Sequence, residues 1–405
     1  MTLNLIGYIM WILLLWTSKK KLNFLKVIAG VKWGGDANTL LGIYQSLILS
    51  KLDYACEVYG AASRSTLKRL DTIHHSALRY CLGAFRTTPT ASLCAETGLM
   101  PLVHRRLDRI ATYVIRIEAT PEHPIYDLWH DGKSDGSPSR RRVREYINSL
   151  GDTRPVLTDL IYETPPWAIS EFQVDMSMAL FPKAETPKEI YQQKFEEIVE
   201  NFTAEEIIYT DGSMTEYGVG SAFVAGGIRC DWTLCREAAV VSAEAWAIVQ
   251  ALNYCQTSHC RTFMVASDSL FVLKKLTLPF TRHCLISIIL NKVEYLKRTG
   301  KDVKFVWIPS HMEIGQNEIA DSIAKRATMS PNVDIEALTK SDKKKSLKSK
   351  INQVWLDEWL SAENWLVSHK RSVNPWAPPA QLNRQDRIKI ERLRLGHSRI
   401  TIRTC

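Results

Sequence analysis

Between Glu205 and Thr328 the chain alternates short apolar runs with turn signals, and four of these runs carry the acidic residues Asp211, Glu244, Asp268 and Asp321. Asp211 follows the strand-like IIYT in IIYTDGS, and Glu244 lies in the helix-like SAEAWAIVQAL. Asp268 ends the apolar run of MVASDSLFVL, and Asp321 lies in NEIADSIAKRA. Carboxylates are costly to bury unless they are paired or bind a metal. Several at the edges of apolar elements point to a hard-cation site.

The periodicity fixes the local order. IIYTDGS reads as a strand that stops at Asp211-Gly212. YGVGSAFVAGG and IRCDWTLC read as an antiparallel meander turning at Gly226-Gly227. The segment Val241 to Tyr254 is apolar nearly all round, so it is expected to be a buried helix. RTFMVASD is reached through that helix and is expected to run parallel to the first strand. Leu285, Ile289, Val293 and Leu296 share one helical face, VKFVWIP is the last strand, and a terminal helix spans about Glu318 to Thr328. The order β-β-β-α-β-α-β-α implies an α/β fold with one mixed five-stranded sheet flanked by helices.

The chain has 405 residues, enough for more than one domain. Residues 1–130 read as mostly helical and basic, with Arg64, Lys68, Arg69, Arg79, Arg86, Arg105, Arg106 and Arg109. They form either a solvated face or a surface that follows a phosphate backbone. Residues 131–204 read as a linker, opening on DGKSDGSPSRRRVR and broken by Pro165, Pro166 and Pro182, with a short helix at Glu189 to Phe202. Residues 331–405 read as a basic helical tail.

A formal charge of +9 favours a polyanionic partner, nucleic acid first. The 9 cysteines are scattered and odd in number, so free thiols in an intracellular setting, cytoplasm or nucleus, are expected. Cys230/Cys235 and Cys255/Cys260 depart from the usual zinc-ligand spacing. The apolar run Leu5 to Trp16 is shorter than the roughly 20 residues a bilayer span needs. A buried segment, or a damaged start of a longer reading frame, is expected there rather than a membrane anchor.

Two-metal phosphodiester cleavage needs carboxylates that hold two divalent ions about 4 Å apart, and magnesium prefers such oxygens. Asp211, at a central strand, can bridge both ions. Gly212 would let a nucleic-acid backbone approach closely. Histidine is the residue type suited to proton shuttling near neutral pH, and His311 lies in the loop SHMEIGQ.

YTDGS, SAEAWAI, ASDS and PSH…GQNEIAD resemble the type-one ribonuclease H family, over about Glu205 to Thr328. The resemblance implies cleavage of the RNA strand of an RNA–DNA hybrid, leaving 5′-phosphate and 3′-hydroxyl ends. It implies two Mg²⁺ ions, with Mn²⁺ a possible substitute. By motif position Asp211, Glu244, Asp268 and Asp321 would be the metal ligands and His311 the base. Gly212, Ser213 and Asn317 would be substrate contacts. Val240, Val241 and Ser242 stand where cellular members carry Asn or Gln against the hybrid, and apolar groups cannot read a 2′-hydroxyl.

Flanking strings look like jockey-type non-LTR retrotransposon polyproteins. SKLDYACEVYG…FRTTP is similar to the region after their polymerase core, and RLRLGHSRIT to the stretch after their ribonuclease H domain. Cys405 would open a following Cys/His motif. The chain has no Asp-Asp dipeptide, so the polymerase palm is taken as absent. A catalytically silent nucleic-acid-binding remnant is the alternative reading, and no membrane partner is expected.

Overall fold

The structure, a computed structural model, describes residues 2–60, 62–130, 138–159, 171–278, 281, 283–376 and 382–397. They divide into two compact units. The first comprises residues 1–114, 131–153 and 347–405 and is helical where described. Its core packs Leu40, Tyr44, Leu70, Ile73, Leu78 and Leu93 with Trp355 and Trp359. The N-terminal apolar run lies in the helix Thr2–Ile28, which buries Trp11 and Leu15 but exposes Ile12, Leu13 and Trp16. Among the described residues no helix is long and apolar enough to cross a membrane.

Several arginines of this region are structural. Arg105 pairs with Asp53 at 2.5 Å, Arg106 pairs with Asp71 at 3.0 Å, and Arg79 donates to the Thr88 carbonyl. Arg64, Lys68, Arg69 and Arg86 remain exposed. All eight described cysteines are free thiols, and Cys405 lies outside the described residues.

The second unit comprises residues 115–130 and 154–346. Its strands are β1 Gln173–Asp175, β2 Glu206–Met214, β3 Val219–Ala225, β4 Ile228–Leu234, β5 Thr262–Ser267 and β6 Asp302–Trp307. Its main helices are α1 Lys188–Phe202, α2 Val240–Thr257, α3 Leu270–Leu276, α4 Cys284–Arg298 and α5 Asn317–Ala327. A further helix, α6 Lys340–Leu360, contributes its residues up to Ser346. The sheet order is β1-β6-β5-β2-β3-β4, antiparallel through β2-β3-β4 and parallel elsewhere.

Strand alternation builds two cores. Ile208, Phe223, Phe263, Val265 and Phe305 face Ile248 and Leu252 of α2 and Leu285 and Ile289 of α4. Tyr209, Val224, Met264, Ala266 and Val306 face Tyr191 and Phe195 of α1 and Ile323 and Ala324 of α5. Period-2 side chains must point to opposite faces, and helices cover both, so the central strands bury apolar residues on both faces. Gly220 shows how close the second layer lies: a Cβ there would sit 2.1 Å from the Ala324 carbonyl oxygen.

Three expectations change. The sheet has six strands rather than five, because Gln173–Asp175 adds to the edge of β6 in parallel. That strand and the helix Pro138–Ser149 give further structure to the stretch read as a linker, in which the helix expected at Glu189 to Phe202 is present as α1. Strand β2 does not stop at Asp211-Gly212. It runs to Met214, because Gly212, Ser213 and Met214 pair with Ser221, Gly220 and Val219 across the hairpin.

Candidate metal centre

The register of the parallel strands assembles the site. The last β2–β5 pair is Thr210 with Ser267. Asp211 and Asp268 are each the next residue, so they stand side by side where β5 leaves the ladder. This is the carboxyl end of the parallel strands, where sheets of this kind place their ligands. Trp307 closes the register beside Ser267, and its indole N–H donates to the Asp268 carbonyl at 3.0 Å.

Asp211 is 7% exposed and shares the face of Tyr209, toward α5. Gly212 points the other way, toward α2. A Cβ there would lie 2.4 Å from the Glu244 nitrogen and 3.0 Å from the Ala243 Cβ. The missing side chain admits the start of α2. That close approach brings Glu244 to the site from the second layer. Its carboxylate accepts a hydrogen bond from the Ser269 hydroxyl, which also caps α3 by accepting from the Val272 N–H.

Asp321 comes from the second turn of α5. It bonds to the Lys325 ammonium at 2.8 Å, which holds that ammonium above its ordinary range. His311 and Glu313 both adopt positive φ, 58° and 54°, in the loop after β6. The loop is tied down by Gln192, which donates to the Met312 and Glu313 carbonyls, and by Lys188 paired with Glu313 at 2.6 Å. Residues other than glycine seldom adopt such φ, and this strain gathers at functional loops.

The carboxylates titrate as neighbours. Burial, then the charges of Asp268 and Asp321, raise Asp211 to about 8. Burial likewise raises Asp268, with Asp321 adding to it and His311 and Lys183 opposing. Glu244 is raised by burial, opposed by the Ser269 hydroxyl and increased by Asp268. The four acids thus form a connected line, Glu244–Asp268–Asp211–Asp321. His311, Glu318 and Asp321 form a tighter group at its end, with ligand atoms within 4.8 Å of one another.

Glu318 was not singled out from the sequence. It precedes Asp321 by three positions, the spacing that shares a helix face, and that was the available signal. Asn317 is 3% exposed at the start of α5, and its buried Oδ1 has no hydrogen-bond partner. Ser213 is buried beside Gly212 on β2.

The donor set fits divalent cations. It is made of hard oxygens with one imidazole, and the buried Asp268 Oδ1 has no hydrogen-bond partner. Among the described residues no lysine or arginine forms an ion pair with Asp211, Glu244 or Asp268. Buried like charges of this kind call for a cation.

Residues 203–329 match the RNase H family model, a stretch that contains β2 to β6 and every group of the site. No curated protein matches the chain. Over this stretch the chain is similar to the ribonuclease H family, and the stretch has an RNase H-like mixed sheet flanked by helices.

Proposed function

We propose that this domain hydrolyses the RNA strand of an RNA–DNA hybrid, and that Asp211, Glu244, Asp268 and Asp321 hold two Mg²⁺ ions, for which Mn²⁺ can substitute. The adjacency of Asp211 and Asp268 at the end of the β2–β5 ladder is the observation that carries this reading. When bound, the divalent ions supply Lewis acidity at the scissile phosphate and charge for the departing oxygen. A water adds to phosphorus as the P–O3′ bond breaks, leaving 5′-phosphate and 3′-hydroxyl ends.

The chain's own residues set the geometry. Asp211 and Asp268 are fixed by the ladder, and Glu244 is oriented by the Ser269 hydroxyl. His311 is exposed on the strained loop, where it can take up and release protons at the mouth of the site. Glu318 lies 3.7 Å from the His311 Nδ1, within ion-pair reach. The flanking strings support reading the chain as part of a jockey-type retrotransposon polyprotein.

The test is a labelled RNA–DNA hybrid incubated with the full chain in Mg²⁺, beside RNA duplex, DNA duplex and single strands. Cutting confined to the RNA of the hybrid is expected. Equal cutting of RNA duplex would remove the hybrid assignment.

Ser269 gives a separate expectation. Partners that orient a metal ligand typically contribute about 10–100-fold to activity or metal affinity. Ser269→Ala should slow cleavage by that factor and lower stability by about 1 kcal/mol through loss of the α3 cap. Ser269→Thr, which keeps the hydroxyl, should recover most of the rate. Equal rates for the alanine and threonine variants would show that the hydroxyl does not position Glu244.

A further inference from the structure

The loop between β6 and α5 carries His311, and it is held by a segment that precedes the matched residues 203–329. One end of the loop is fixed from within the sheet. Ile314 is 2% exposed in the core with Tyr191 and Tyr209, and Gly315 lies against the Tyr209 hydroxyl with no room for a Cβ. Ahead of that anchor, His311 and Glu313 both hold positive φ, and both are exposed. Residues other than glycine keep such φ where surrounding contacts impose it.

Those contacts come from the segment Lys183 to Gln192. Gln192 is half-buried on α1, and its Nε2 donates to the Met312 carbonyl at 3.1 Å and to the Glu313 carbonyl at 3.2 Å. Both partners are acceptors, so the amide nitrogen must face them, and its two N–H groups match the two carbonyls. Lys183 donates to the Ser310 hydroxyl at 3.0 Å, and Lys188 pairs with Glu313 at 2.6 Å. Those two contacts join exposed side chains, and exposed charged contacts contribute little. Gln192 instead holds two successive peptide groups of the backbone. The Glu313 N–H in turn donates to Glu318 Oε1 at 3.1 Å, and the other oxygen of that carboxylate lies 3.7 Å from His311 Nδ1. Gln192 is itself fixed by its neighbours. Tyr191 is buried and its hydroxyl donates to the Phe181 carbonyl at 2.9 Å, while the Phe195 ring lies 6.1 Å from that of Tyr209 on β2.

We propose that Gln192 is a positioning residue for hybrid cleavage: through it α1 braces the loop so that His311 stands at the mouth of the carboxylate site. Helix α1 ends at Phe202, just before the matched stretch, so the brace is supplied by chain outside that stretch. Gln192 acts through the Met312 and Glu313 backbone and touches no reacting atom. A proton-transfer group works only within hydrogen-bond reach of its target. A loop released to other conformations therefore lowers the rate of the chemical step more than the affinity for substrate. This rests on the hydrolase reading of the site, with His311 as its proton carrier.

The test pairs hybrid cleavage by the full chain in Mg²⁺ with hydrogen exchange of the loop, residues 310–316. Gln192→Glu keeps the length of the side chain but removes the donor. It should lower kcat by about 10-fold, part of the roughly 10²–10⁴-fold that a positioned acid–base group contributes, and leave KM within about two-fold. Gln192→Arg, which restores N–H donors, should recover part of the loss. In a His311→Ala background Gln192→Glu should change the rate by no more than about two-fold, because residues that act as a unit are not additive. Loop exchange should quicken in Gln192→Glu while that of β2 and β5 stays as in wild type. Lys194→Glu, on an exposed ion pair of the same helix, should alter neither rate nor exchange. If Gln192→Glu fails to fold, Gln192→Met, equally long and without a donor, carries the same comparison. A folded variant with wild-type kcat, or one whose loss persists in full without His311, overturns the proposal. Wild-type protein that cuts no hybrid removes the hydrolase reading, and loop exchange then decides the brace by itself: exchange unchanged in the variant removes the brace as well.

Discussion

In metal-free buffer near pH 8, Asp211→Asn is expected to melt about 4–8 °C above the wild-type protein, roughly 2 kcal/mol for a unit of this size. Asp211 is 7% exposed and stands between Asp268 and Asp321, so its ionised form is opposed by burial and by two like charges. Its folded pKa, raised to about 8, lies above the ordinary value of 3.8. Between those values the folded state holds a proton that the unfolded chain has released. Stability therefore falls as pH rises through this window, and is level in this group below about pH 4 and above about pH 8. The asparagine variant lacks this slope, so its advantage should grow from pH 4 toward pH 8. Added Mg²⁺ should stabilise the wild type and narrow or reverse the difference, since a ligand bound only to the folded state stabilises it. Thermal melts across pH, with and without metal, read all of this. A variant no more stable than wild type at pH 8 would mean that Asp211 is not under the strain described.

Asp268→Asn is expected to lower hybrid cleavage by at least ~10³-fold while the fold persists, because a metal-oriented phosphate loses most of its electrostatic stabilisation when a ligand carboxylate is neutralised. Asp268 sits just past β5, its carbonyl holds the Trp307 indole, and its buried Oδ1 has no protein partner. The asparagine keeps the shape and the backbone contacts. Calorimetric titration should show Mn²⁺ binding weakened in the variant, and circular dichroism should be unchanged. Wild-type cleavage by a folded Asp268→Asn protein would remove Asp268 from the site.

The two-layer cover of the sheet was legible because successive residues such as Ile208 and Tyr209 are both apolar, which only a strand buried on both faces requires. Asp268 was legible because it ends its run and the ladder together. The extension of β2 past Asp211 was not. Asp-Gly is a common turn signal, and only pairing with Ser221 and Gly220, supplied by the hairpin, makes it a strand. Strand β1 escaped notice because three residues carry no period. The close approach of α2 to Gly212 is not written in the local sequence, because Ala243 and Glu244 are distant in the chain. The Ser269–Glu244 and Ser242–Asp342 bonds join residues distant in sequence, and no local pattern announces them.

The most direct measurement is gel analysis of an end-labelled RNA–DNA hybrid cut by the full chain in Mg²⁺, with Asp268→Asn and an EDTA control run beside it. The account predicts RNA-strand fragments with 3′-hydroxyl ends from the wild type, and none from the variant or in EDTA. Cleavage that survives EDTA, or an uncut hybrid with folded, metal-loaded wild-type protein, would contradict it.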